Sequence, residues 1–200
     1  MWGRMWSSMG VVALLVDGFG PRGYPEGFPR HSYAQRPDAV NEVTVRPRDA
    51  YAALAYLQGR ADVDPSRIGL QGWSNGGSAA LAAMAEKPVA NPTGFRAAIA
   101  FYPACGLHGR FTEHYRAVAP VRIHIGDADE EVSARHCLDF VETARRDGSD
   151  VEISLYPGAT HGFDDPGRKR QSVPANAAAF DAAASAAMSF MRARLGIRGG

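Results

Sequence analysis

The sequence predicts an α/β fold, a mostly parallel sheet with helices on both faces. Three observations carry that expectation. Short apolar runs alternate with longer stretches of helical pattern. The runs are closed by Gly or Pro, as at Asp17-Gly18, Pro103, Gly126 and Pro157-Gly158. One run, Ile68–Gly72, turns through a glycine-rich segment directly into an alanine-rich helix.

The elements follow in order. Val11–Val16 is a continuous apolar run and reads as a strand buried on both faces. Gly18–Arg36, rich in Gly, Pro and aromatics, reads as a long ordered loop. Pro47 opens a helix in its first turn, with Ala50, Ala53, Leu54 and Leu57 on one apolar face. Asp62–Arg67 is a turn, and Ile68–Gly72 a strand. Asn75 to Glu86 is helical. Phe95–Tyr102 and Val121–Ile125 are the next strands, and Ser133 caps a helix running to Arg146. Val151–Tyr156 is the last strand. Asn176 to Leu195 is a final helix with Phe180, Ala184, Ala187, Met188 and Met191 on its inner side. No repeat, linker or low-complexity block interrupts the order, so residues 1–200 read as one domain.

Composition narrows the function. Hydrophobic residues make up 46% and charged residues 22% of 200 residues, and the formal net charge is +1. Such a chain has no long-range field for nucleic acid. Its densest basic run, Arg168-Lys169-Arg170, reads as a solvated loop. No stretch of about 18 apolar residues suggests a membrane span. Met1 to Val16 does not read as a secretory signal, because its apolar core is short and Asp17-Gly18-Phe19 is no small-residue cleavage site. Cys105 and Cys137 are too few for a cysteine-rich scaffold. They are either two buried thiols or one disulfide, since both follow strands on the same side of the sheet. No Cys/His spacing suggests a metal site.

Gly72-Trp73-Ser74-Asn75-Gly76-Gly77 fits G-x-S-x-G, between a strand and a helix as that motif requires. A serine at so sharp a turn sits on strained backbone, and side chains two residues to either side are expected to collide, which assigns glycine to Gly72 and Gly76. The Ser74 hydroxyl then projects above the carboxyl edge of the sheet. The N–H of Asn75, at the helix start, is placed to bind an oxyanion.

A nucleophilic serine needs a base, normally histidine. His124 lies inside an apolar strand and reads as a packed residue; His136 falls in a helix's first turns. His31, His108 and His114 fall in loops and are candidate pocket residues. His161 follows the last strand, at the same carboxyl edge as Ser74, where open α/β sheets place their sites. The orienting acid belongs between serine and histidine, after the penultimate strand, in Gly126-Asp127-Ala128-Asp129-Glu130-Glu131. Asp129 is the first choice because it can face back toward the histidine, and Asp127 the second. Glu130 and Glu131 read as solvated charges. Arg22, Arg30 and Arg36, on the loop after the first run, are candidates to hold a substrate carboxylate. Trp73 and Phe163 are candidate pocket-floor residues, with packing beneath the turn the alternative for Trp73.

Together the Ser74 motif, Gly126-Asp127-Ala128-Asp129 and Tyr156-Pro157-Gly158-Ala159-Thr160-His161-Gly162-Phe163 resemble the dienelactone hydrolase family. So do Leu15-Val16-Asp17-Gly18-Phe19-Gly20-Pro21-Arg22-Gly23 and Phe101-Tyr102-Pro103. The resemblance spans nearly the whole chain, and the histidine block is its most specific part. It implies an α/β-hydrolase fold and a hydrolase acting on small esters or lactones without a cofactor, with Ser74, Asp129 and His161 at the family's triad positions.

Two departures qualify the resemblance. The founding members use cysteine where this chain has Ser74, so the dienelactone substrate is not carried over. Similar proteins also have further strands and a His-Gly loop ahead of the helix that Trp2–Met9 ends, and no His-Gly-Gly-like segment precedes Val11. The chain therefore reads as N-terminally shortened, with the second oxyanion donor left to another segment and any targeting peptide lying further forward. The compartment stays open between cytoplasm and periplasm. A prolyl-oligopeptidase-like peptidase shares a Gly-x-Ser-x-Gly-Gly turn but is disfavoured by the Pro-Gly-Ala-Thr-His-Gly-Phe block. A non-catalytic fragment without a complete oxyanion hole is the reading from another class.

Overall fold

Four apolar runs pair side by side into one parallel sheet in the computed structural model, which describes residues 1–29, 32–85, 94–106 and 114–197. The strands are β1 (Leu70–Trp73), β2 (Ala98–Phe101), β3 (Val121–Gly126) and β4 (Val151–Tyr156), in spatial order 1-2-3-4. The helices are α1 (Trp2–Ser8), α2 (Arg46–Gln58), α3 (Asn75–Met84), α4 (Ala134–Arg146), α5 (Arg168–Gln171) and α6 (Pro174–Leu195). The order β1-α3-β2 and β3-α4-β4 is that of parallel crossovers, which are right-handed. Because the order advances in one direction, both crossover helices cover the same face, and α2 packs on α3. The other face is covered by α6 and by Trp2 of α1, whose ring meets Phe180 at 6.3 Å.

Burial explains why β2 and β3 sit centrally. Every residue of β2 is buried, as expected of a strand covered on both faces. In β3, Val121, Ile123 and Ile125 point to one face; Arg122 and His124 point to the other, where Arg122 lies over the Phe190 ring of α6. At the carboxyl end of that second face the register aligns Trp73, Phe101 and His124, and Tyr156 joins them diagonally, two residues beyond Ser154, the partner of His124. Trp73 stacks on Phe101 at 6.2 Å, Phe101 on His124 at 5.0 Å, and His124 meets Tyr156 at 5.9 Å. Trp2 packs onto this row, 5.0 Å from Phe101. His124 is thus the packed residue its apolar strand implied.

One predicted strand does not form. Val11–Val16 belongs to no strand or helix, and Val12, Leu14, Leu15 and Val16 are 45%, 42%, 79% and 45% exposed. An apolar run becomes a buried strand only where a neighbour satisfies its N–H and C=O groups, and among the described residues β1 pairs with β2 alone. The expected loop at Gly18–Arg36 contains single 3-10 turns at Gly20–Arg22 and Tyr33–Gln35. Asp17 caps the first of these by accepting the N–H groups of Phe19 and Gly20. Cys105, after β2, and Cys137, in α4, form a disulfide. Among the described residues no helix is long and apolar enough to cross a membrane.

Candidate active site

The turn from β1 into α3 holds Ser74 at φ 49° and ψ −117°, a conformation that L-residues avoid. Ser74 N–H donates to the Phe101 carbonyl at 2.9 Å, and the Ser78 N–H closes the first helical bond onto the Ser74 carbonyl. Glycine is required at Gly72, where a Cβ would stand 2.1 Å from the Gly76 carbonyl oxygen, and at Gly77, where it would stand 2.8 Å from the Phe101 carbonyl oxygen. At Gly76 a Cβ would meet nothing within 4 Å, so the steric demand expected there falls on Gly77 instead. Gly77 bears it because α3 leaves the turn directly against the end of β2. The Asn75 N–H, first in α3, has no acceptor within the helix. The Asn75 side chain accepts from Arg46 Nη1 at 3.0 Å.

His161 reaches the turn from the loop after β4. Its Nε2 lies 2.9 Å from Ser74 Oγ. Its Nδ1 lies 2.9 and 3.1 Å from the two carboxylate oxygens of Asp129. A carboxylate only accepts, which assigns the Nδ1–H tautomer and leaves Nε2 to accept the serine O–H. The Asp129 side chain is fully buried and also accepts the N–H groups of Glu131 and Val132, both at 2.9 Å. Asp127, the alternative acid, accepts the Gly158 N–H at 2.7 Å and so fastens the start of the histidine loop. The two loops touch closely at Gly126, where a Cβ would fall within 1.9 Å of the Ala159 carbonyl oxygen.

Residues that the sequence did not single out hold this array. Glu130 accepts the His161 backbone N–H at 2.8 Å and the Arg170 guanidinium at 2.6 Å. Burial raises its carboxyl, but those two donors outweigh burial and hold it at about 2. Arg170, expected to be solvated, is 13% exposed because its head is drawn into this clamp. Buried Asn176 accepts the Thr160 N–H at 2.8 Å and donates to Thr160 Oγ1 and the Arg170 carbonyl, both at 2.9 Å. On the other side of the ring, Tyr102 meets His161 edge-on at 4.6 Å and donates to Asp164 Oδ1 at 2.6 Å. Trp2 Nε1 donates to Asp164 Oδ2, also at 2.6 Å, so α1 is tied to the histidine loop. Burial, with Asp164 adding to it, pushes the Tyr102 phenol well up, which keeps it a donor. Tyr102 itself has φ 37°, a second strained non-glycine residue beside the site. Glu130 and Asp164 adjoin the acid and histidine blocks and Tyr102 lies in Phe101-Tyr102-Pro103, whereas Trp2, Arg170 and Asn176 lie away from these blocks in the sequence.

The remaining candidates lie less centrally. Arg22 donates from both terminal nitrogens to Asp49, at 2.8 and 2.7 Å, and to the Gly18 carbonyl. Asp49 in turn pairs with Arg46 at 3.3 Å, so Arg22 connects to Asn75 through Asp49 and Arg46. Trp73 packs beneath the turn against Phe101 and Trp2. Phe163 is wholly buried among Phe101, Tyr102 and Tyr156. Arg36 lies over the Tyr33 ring at 4.3 Å. His114 faces Asp147 at 3.5 Å, on the surface. Arg30, His31 and His108 fall outside the described residues.

The profile of the dienelactone hydrolase family matches residues 8–195. The chain belongs to the dienelactone hydrolase family. A probable 2-oxo-3-(5-oxofuran-2-ylidene)propanoate lactonase from Bradyrhizobium is 26% identical over 162 residues, covering 77% of this chain and 62% of that protein. Among solved structures, a thermophilic esterase from the Planctomycetes species Thermogutta terrifontis matches with a TM-score of 0.58 and 24% identity over 73% of this chain and 62% of its own. A puromycin-hydrolyzing peptidase of Mycobacterium tuberculosis matches with a TM-score of 0.62 and 20% identity, covering 80% of this chain and 27% of the peptidase. These structural likenesses show an α/β-hydrolase fold. The chain spans less than two thirds of the length of these relatives.

Proposed function

We propose that this dienelactone hydrolase family chain is a serine hydrolase of small carboxylic esters or lactones, acting through an acyl-enzyme on Ser74. One observation carries the reading: Ser74 Oγ lies 2.9 Å from His161 Nε2 while Asp129 holds the opposite nitrogen. The family match and the lactonase and esterase names of its relatives support the same bond type.

In this mechanism Ser74 Oγ attacks the ester carbonyl carbon as its proton passes to His161 Nε2. Asp129 fixes the imidazole tautomer and stabilises the imidazolium. The Asn75 N–H, reinforced by the start of α3, faces the oxyanion. His161 then protonates the departing alcohol. A water attacks the acyl-enzyme, its proton returns to His161, and release of the acid restores Ser74.

Intact-mass labelling with a fluorophosphonate tests the reading. A single adduct is expected on the folded chain, absent from Ser74→Ala and strongly slowed in His161→Ala. A folded chain that takes up no label and turns over no activated ester overturns it, and favours a non-catalytic role for the same fold.

A further inference from the structure

Ser74 follows β1 and His161 follows β4, and these strands share no ladder, because β2 and β3 lie between them. Their 2.9 Å contact is therefore set across the sheet rather than by neighbouring strands. Helix α1 reaches both partners with two indole donors. Trp6 Nε1 donates to Gln71 Oε1 at 2.8 Å, on β1 three residues ahead of Ser74. Trp2 Nε1 donates to Asp164 Oδ2 at 2.6 Å, three residues beyond His161. The two indoles stack with their centroids 6.0 Å apart, so both holds belong to one piece. Gln71 Nε2 is buried without a hydrogen-bond partner, which leaves the Trp6 bond to orient that amide. Trp2 and Asp164 are themselves buried, where a polar group that loses its partner is costly. The other oxygen of Asp164 accepts the Tyr102 hydroxyl at 2.6 Å, and the Tyr102 ring meets the His161 imidazole edge-on at 4.6 Å.

From this arrangement we propose that Asp164 is a positioning residue for the hydrolysis, and that α1 is a cross-tie, fastened by Trp2 to Asp164 and by Trp6 to Gln71, that fixes the spacing of His161 from Ser74. The inference rests on the serine-hydrolase reading above and adds the residues that keep its base in line with its nucleophile. Asp129 and Glu130 already hold His161, but both belong to the loop after β3. The tie to β1, the strand that carries the serine turn, comes from α1. Its pull reaches the imidazole by two routes: along the short segment from Asp164 back to His161, which the Asp165 N–H closes onto the Gly162 carbonyl at 3.0 Å, and through the Tyr102 ring. Proton transfer from serine to imidazole needs the two atoms within hydrogen-bond reach, and a displacement of about 1 Å can cost about 10²-fold in rate.

The test is steady-state kinetics of the full chain on one activated ester, well below the melting temperature of each variant. Trp2→Phe keeps a ring in the aromatic row and removes one N–H; it is expected to lower kcat about tenfold with KM within about twofold. Trp6→Phe releases the other end of the tie and should cost a similar factor. Asp164→Asn offers one acceptor oxygen to two donors and should lower kcat by about 10- to 100-fold. Trp2→Phe should then cost nothing further in the Asp164→Asn background, because both changes break the same bond. The rate of fluorophosphonate labelling should fall in step with kcat, whereas contacts that only support the fold would lower the melting temperature and leave both rates unchanged. An unchanged kcat in either folded indole variant, or losses that multiply in the Trp2→Phe, Asp164→Asn double variant, overturns the proposal while leaving the hydrolase reading standing. A folded parent chain that takes neither label nor ester overturns both.

Discussion

The backbone N–H of His161 donates to the Glu130 carboxylate at 2.8 Å, and Arg170 grips the other oxygen of that carboxylate at 2.6 Å. The candidate base is thereby held at its main chain, independently of the Asp129 bond to its ring. Glu130→Ala removes that hold and is expected to slow phosphonate labelling of Ser74 by about 10- to 100-fold, since small misplacements of a reacting group cost rates of that order. Folding measured by circular dichroism should persist. The sign with pH follows from the depressed carboxyl: the clamp contributes fully above about 4.5 and is lost as pH falls through about 2. An unaltered labelling rate in Glu130→Ala would show that the clamp positions nothing.

Asp129 and Asp127 separate in role. Asp129→Asn should lower kcat by about 10⁴, because the amide favours the wrong imidazole tautomer. Asp127→Asn loosens one loop bond to Gly158 and should cost no more than about tenfold. Steady-state kinetics on one activated ester decides between them; equal losses would refute the assignment of the acid.

The two glycines flanking the serine turn should not respond alike. Gly72→Ala drives a methyl into the Gly76 carbonyl and is expected to abolish soluble, labelled protein. Gly76→Ala meets open space within the first turn of α3 and should be tolerated, with a stability change within about 1 kcal/mol. Expression and thermal melts of both variants check this.

His124 predicts acid sensitivity. Burial between Phe101 and Tyr156, with the Arg122 charge adding to it, lowers its pKa to about 4 from an ordinary 6.5. The unfolded chain therefore takes up a proton as pH falls through 6.5, whereas the folded chain does not until about 4. Stability is level above about 6.5 and declines between about 6.5 and 4, by up to about 3 kcal/mol from this residue. Urea midpoints at about pH 7 and about pH 4.5 should differ less in His124→Phe than in the parent chain.

The disulfide closes a loop between residues separated by 32 positions. The Cys105→Ser, Cys137→Ser double variant is expected to lose about 2–4 kcal/mol of stability. The same loss should appear on adding reductant to the parent chain, and a melt insensitive to reductant would contradict it.

The elements and the central array were legible in the sequence because each has a local physical signature. Ile68–Gly72 and Phe95–Tyr102 announce strands by composition, and Ser74, Asp129 and His161 each end or follow a strand at one sheet edge, so topology alone brings their blocks together. What local pattern could not supply was pairing. Val11–Val16 has the composition of a strand but, among the described residues, no neighbouring strand to pair with, and it lies largely exposed. Glu130, Glu131 and Arg170 have the composition of surface charges; Glu130 does stay 41% exposed, but the approach of the β3 and β4 loops draws Glu131 and Arg170 in beside His161. Trp2 and Asp164, far apart along the chain, meet only in the folded protein. Residue type and strand-end position are local properties, so the chemistry the chain can carry was written in its order of residues. Which carboxylate serves which partner followed from packing, because burial and hydrogen-bond partners exist only once distant segments are brought together.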